Sequence, residues 1–193
     1  HGRIDVDALR TSLDALAYRH QALRSLVAEL EDGSCVGRVL ADDRVSEAID
    51  LVVHEPEADA CLVVDENARQ PFDLTTGPLV RVVVVRQSNV LADGSGDIIS
   101  VCVPHICFDG WSQGVFMREL STLYNAARSG VDVASASLLD DLAIQYSDFA
   151  VWEREVLGED EADDEYAFWR ETLAGVEVLR LPSTMSSTVV SKA

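Results

Sequence analysis

The chain has 193 residues, 48% of them hydrophobic, and its 34 acidic against 15 basic residues give a formal net charge of −19. That length accommodates one globular domain with a sizeable core, and the apolar content argues against disorder. The charge disfavours nucleic acid and anionic membrane surfaces as partners, because both carry the same sign.

Residues 6–20 place Leu9, Leu13, Leu16 and Ala17 at helical spacing behind Asp5, a suitable N-cap. Residues 24–30 and 35–40 read as two short strands joined by a hairpin-type turn at 31–34, and 49–54 as a third strand. Residues 57–70 suit a helix, although the apolar run 61–64 weakens the pattern. The turn-rich connector 71–78 leads into 79–85, a run of Val too continuous for a one-sided strand, so a central strand covered on both faces is expected. Residues 89–97 read as a loop, and 98–103 as a second buried strand. Residues 111–128 carry Val115, Phe116, Leu120, Leu123 and Tyr124 on one helical stripe, and Gly130 ends the helix. A flexible stretch to Ser137 and two further helices, over 142–157 and 165–173, complete the pattern. Interleaved helices and strands predict an α/β or mixed α+β fold.

Several chemistries find no foothold in these residues. No apolar run reaches the roughly 18 residues of a membrane span, and neither a signal peptide nor a phosphate-cradling glycine loop is visible. Cys35, Cys61, Cys102 and Cys107 make no metal-ligand spacing with the histidines and are expected to be buried thiols. The acidic run 159–165 reads as a solvated surface segment. The numbering opens on His1 and the tail 183–193 carries no motif, which suggests a piece of a longer protein.

One segment concentrates the chemistry. Pro104-His105-Ile106-Cys107-Phe108-Asp109-Gly110-Trp111-Ser112 sets one imidazole at a strand end, followed by a turn and then a helix. Histidine changes charge near neutral pH, so this placement offers an acid–base group. Asp109 can fix the loop by accepting backbone N–H groups or pairing with an arginine, and Gly110 permits a turn with positive φ.

Three other segments extend the pattern: Arg19-His20 through Arg24-Ser25, Phe72-Asp73-Leu74 through Gly77-Pro78-Leu79-Val80-Arg81, and Tyr146-Ser147-Asp148-Phe149-Ala150-Val151-Trp152 with Phe168-Trp169 following. In order and content these resemble the motifs of the condensation domains of nonribosomal peptide synthetases, in the chloramphenicol-acetyltransferase-like superfamily. The resemblance spans residues 1–182, with 183–193 a tail or the start of a second lobe. It implies the N-terminal lobe of a two-lobed pseudo-dimer, a mixed sheet flanked by helices. It also implies amide formation between a carrier-tethered acyl or peptidyl thioester and an aminoacyl acceptor, in the cytoplasm.

On that resemblance His105 is the catalytic base or amine-positioning group, Asp109 its structural support, and Gly110 the glycine beside the cleft. No cofactor or metal is bound directly; substrates arrive on the phosphopantetheine arms of carrier proteins, which with the second lobe are the expected partners. Alternatives are another acyl-thioester O- or N-acyltransferase of the superfamily and a catalytically silent carrier-binding scaffold. Pro104 stands where the family has its first histidine, which predicts weakened activity. An isolated lobe is expected to be inactive, since half a cleft cannot shut out water. His20, Asp148, Trp152 and Trp169 are expected to cap helices or pack in the core.

Overall fold

The computed structural model describes residues 2–55, 59–87, 96–134, 137–156 and 159–177. Residues 1–150 and 151–193 form two compact units. In the first, α1 (Val6–Arg19) begins where Asp5 accepts the Ala8 N–H, as the sequence predicts, and ends at His20, whose backbone turns extended. Strands β1 (Ser25–Glu29) and β2 (Cys35–Val39) form an antiparallel hairpin, and a short 3-10 helix (Asp42–Glu47) leads to β3 (Ile49–His54). The order continues with α2 (Ala60–Arg69), β4 (Val80–Val85), β5 (Ile98–Cys102) and α3 (Gly110–Arg128).

Strands β3, β4 and β5 form a mixed sheet in that order, with β3 parallel and β5 antiparallel to β4. Every residue of β4 is buried, so the Val run is the expected two-faced central strand. Val80, Val82 and Val84 join a cluster with Leu9, Leu13 and Leu16 of α1 and Phe116, Leu120 and Leu123 of α3. Helix α2 packs against β4 and β5. There Arg81, itself buried, donates to the carbonyls of Asn67, Gln70 and Pro71 and lies 3.8 Å from the Phe72 ring centre. A cation is favoured where a helix's last carbonyls point. The Phe72–Arg81 motif is therefore a brace that ties the end of α2 to the central strand.

Several expectations change. Strand β5 is an edge of this sheet rather than a doubly covered strand, and Ile98 and Ile99 are exposed. Cys35 and Cys61 are exposed rather than buried, because Cys35 lies on the outward-facing β2 and Cys61 on the outer turn of α2. The stretch after Gly130, expected to be flexible, sends Val133 into the core; residues 135–136 of that stretch, the start of the predicted helix at 57–58, most of the predicted loop 89–97, and the tail 183–193 lie outside the described residues. Helix α4 (Tyr146–Val156) begins later than predicted, and α5 (Glu159–Thr172) earlier, taking the acidic run as its first turns.

In the second unit Phe168 and Trp169 meet edge to face at 5.3 Å. Trp152 and Trp169 are about half exposed instead of core. Two helical segments have too little surface between them to enclose large aromatics.

Candidate active site

Strand β5 delivers the chain into a tight turn in which Cys107 N–H donates to the Pro104 carbonyl, placing His105 and Ile106 at its two central positions. The turn is anchored behind the histidine by Phe108, whose ring meets Phe116 edge to face at 5.8 Å. It is anchored ahead by Asp109, the N-cap of α3, whose Oδ1 accepts from Ser112 N at 2.8 Å and Ser112 Oγ at 2.6 Å. These Ser112 bonds, with the charge of nearby His105 as a lesser cause, hold the Asp109 carboxyl below its usual range. Of the two roles the sequence leaves open for Asp109, the structure gives the acceptance of backbone N–H. Gly110 departs from its expectation: it is the first residue of α3, without the positive φ that marks Gly130, and a Cβ there would meet open space.

His105 is exposed at a cleft of about 380 Å³. Ile106, Phe108, Trp111, Val115 and Phe116 form its apolar lining on the α3 side; Ala22, Leu23 and Tyr146 complete it, and His20, Cys107, Asp109 and Ser112 are the other polar members. Three of the four motif segments thus meet at one cavity, and the Phe72–Arg81 segment does not line it. Cys107 is a poor nucleophile: burial pushes its thiol up to about 11, and its Sγ donates to the Pro104 carbonyl. Among the described residues no group of three or more His, Cys, Asp or Glu is placed to hold a metal ion.

At His20 the cleft meets a charged network that the sequence does not announce. Glu119 of α3 is buried, and its Oε2 lies 2.6 Å from His20 Nε2. Arg19 Nε stands 3.3 Å from the same oxygen as an ion pair without hydrogen-bond geometry, while its Nη2 donates to the Asp140 carbonyl. Gln145 accepts from Gln21 N–H and donates to the Arg19 carbonyl, clamping the backbone on both sides of His20. Asp148 accepts the Gln145 N–H across the first turn of α4, so the Tyr146–Trp152 motif begins with a capping interaction that also sets Tyr146 at the cleft. Glu119 has a sequence signature in retrospect: it interrupts the apolar stripe between Phe116 and Leu120, and a charge there needs a buried partner. Gln145, one position before the Tyr146–Trp152 motif, carries no such signal.

The comparisons with known proteins bear on the family and the fold. A family model described as "Condensation domain" matches residues 1–193. One of the proteins that make up the linear gramicidin synthase of Brevibacillus parabrevis is 37% identical over 187 residues, covering 94% of this chain and 4% of that protein. The X-domain in the solved complex of the X-domain and OxyB from teicoplanin biosynthesis is 31% identical, with a TM-score of 0.75 over 96% of this chain and 39% of the solved one. The epimerization domain of the third module of tyrocidine synthetase B shares the fold at 20% identity, with a TM-score of 0.77 over 96% and 40% of the two chains. The fold is a chloramphenicol-acetyltransferase-like lobe, a mixed sheet flanked by helices, and it spans about two fifths of those solved chains.

Proposed function

Because this chain belongs to the condensation-domain family, we propose that it supplies the histidine-bearing lobe of an amide-forming site in a nonribosomal peptide synthetase. The observation that carries the reading is His105 itself, held on a turn fixed by Phe108 behind and Asp109 ahead, at a largely apolar cleft.

A thioester is already activated, so the lobe has three tasks: to orient an amine, to handle one proton, and to keep the oxyanion from costing too much. The acceptor amine attacks the thioester carbonyl carbon, the C–N bond forms, and the C–S bond breaks. His105 is the base or positioning group for the amine proton, which ends on the departing thiolate. Asp109 contributes through loop geometry, since its oxygen is engaged by Ser112. Gly110 is the first residue of α3, beside the cleft. The donor and acceptor ride on phosphopantetheine arms of carrier proteins, a second lobe closes the cleft, and the setting is cytoplasmic. Among the described residues no helix is long and apolar enough to cross a membrane.

The test is the full-length synthetase with loaded carriers, reading carrier-bound peptide by mass spectrometry. His105→Ala is expected to lower single-turnover condensation by about 10²-fold or more, in line with the loss of a positioned general base. An unchanged rate refutes the mechanism. A second reading, a silent carrier-binding scaffold, is favoured by Pro104 in the place of the family's first histidine. Carrier binding without turnover, in wild type and in Pro104→His alike, selects it.

A further inference from the structure

His20 shares the cleft with His105, but its ring is held differently. His105 is exposed on a turn, whereas the His20 side chain is 22% exposed and Glu119, 10% exposed, grips its Nε2 at 2.6 Å. A carboxylate can only accept, so His20 Nε2 is the donor and carries a proton. In the neutral ring the remaining lone pair is then on Nδ1. Among the described residues the hydrogen-bond partner of the His20 ring is Glu119, at Nε2, and His20 itself lines the cleft. The backbone on either side is clamped by Gln145, and the His20 N–H is tied to the Leu16 carbonyl at 2.8 Å. A helix-terminal histidine with a purely structural task would need neither a place in the cavity wall nor control over which nitrogen is free.

We infer that Glu119 is a positioning residue that fixes His20 as the Nε2–H tautomer, so that His20 Nδ1 accepts an N–H of the acceptor amine and turns it toward the thioester. This rests on the amide-forming reading and adds a second imidazole to it. The two histidines divide the work: His105 deals with the proton lost, and His20 holds the amine at the angle of attack. An amine has more than one N–H, so both contacts can form at once. Orientation of this kind raises the rate of a bound complex more than the affinity for it.

Two substitutions separate this from a structural role, because Gln places its amide near the Nε2 position and Asn near Nδ1. In the full-length synthetase with loaded carriers, His20→Gln keeps the contact to Glu119 and is expected to lower kcat at least tenfold with KM for the acceptor carrier unchanged. His20→Asn is expected to recover part of that loss, and Glu119→Gln, which no longer dictates the tautomer, to lower kcat severalfold at the same KM. His20→Gln at the wild-type rate overturns the inference, as does a loss confined to KM. His105→Ala is run beside them: if it too retains the full rate, the amide-forming reading fails, and if it alone is slow, only the role of His20 does. Should His20→Gln not fold, the nitrogen-15 resonances of the wild-type His20 ring decide, with protonated Nε2 supporting the assignment and protonated Nδ1 refuting it.

Discussion

Replacing Arg81 by Met tests whether the Phe72–Arg81 motif is a brace rather than part of the cleft. Arg81 gives hydrogen bonds to three carbonyls, at Asn67, Gln70 and Pro71. The Asn67 carbonyl bond is buried, and losing a charge-assisted bond there costs about 2 kcal/mol. Gln70 and Pro71 are exposed, so water replaces the guanidinium and each bond contributes about 0.5 kcal/mol. Loss of the Phe72 stacking at 3.8 Å adds about 1 kcal/mol. Against this, Arg81 Nε is buried without a partner, and removing it returns about 1 kcal/mol. The net is about 3 kcal/mol. Hydrogen exchange of the β4 amides, followed by mass spectrometry in the chain, reads this as a loss of protection. Arg81→Lys should lose more than half as much, because an ammonium cannot serve three carbonyls and a ring in one plane. A loss under about 1 kcal/mol for Arg81→Met refutes the brace. Arg81 pairs across the sheet with Cys102, the last residue of the strand that leads into the His105 segment. A loosened brace therefore reaches the site indirectly, and condensation should fall in proportion to folded protein rather than per folded molecule.

Two further outcomes follow from the charges. With its thiol pushed up to about 11, Cys107 should react with iodoacetamide at pH 8 at least tenfold more slowly than exposed Cys35 and Cys61, and speed up steadily to about pH 11; peptide mapping that finds Cys107 labelled first contradicts this. Burial works to raise the Asp97 carboxyl, but bonds from Ile4 N–H, Arg86 and Gln87 N–H outweigh it and leave it lowered. Its stabilisation is thus present above the unfolded value near 4 and lost as pH falls through the lower folded value. Asp97→Ala, which leaves Arg86 its bond to the Ile4 carbonyl, should cost about 2 kcal/mol at pH 7 and progressively less as pH falls, measured by urea unfolding across that range.

Local patterns in the chain are a good guide where one element decides its own form. Asp5 as a cap, the doubly buried Val run, the 111–128 stripe and Gly130 with its positive φ all follow from spacing and side-chain chemistry over a few residues. Where burial depends on a neighbouring layer, local pattern fails. Ile98 and Ile99 read like core residues but lie on a sheet edge, and Trp152 and Trp169 read like helix-packing aromatics but stand half exposed. Gly110 looks like a turn glycine and is a helix residue, because Asp109 caps α3 directly before it.

The order of residues along the chain is enough to point to the family: by resemblance, His105 on a short segment between strand and helix with Asp109 and Gly110 after it, Pro104 where the family has a histidine, and three further motifs in the family's order. Such a resemblance is read from residue types at set positions and needs no packed fold. Which distant groups share the cleft is settled by the packed fold alone. His20 and Glu119 are 99 positions apart and meet at 2.6 Å, and Gln145 reaches back to clamp the residues on either side of His20. Such meetings depend on how α1 packs directly on α3 over one face of the sheet, a sum of many weak apolar contacts that no single motif encodes.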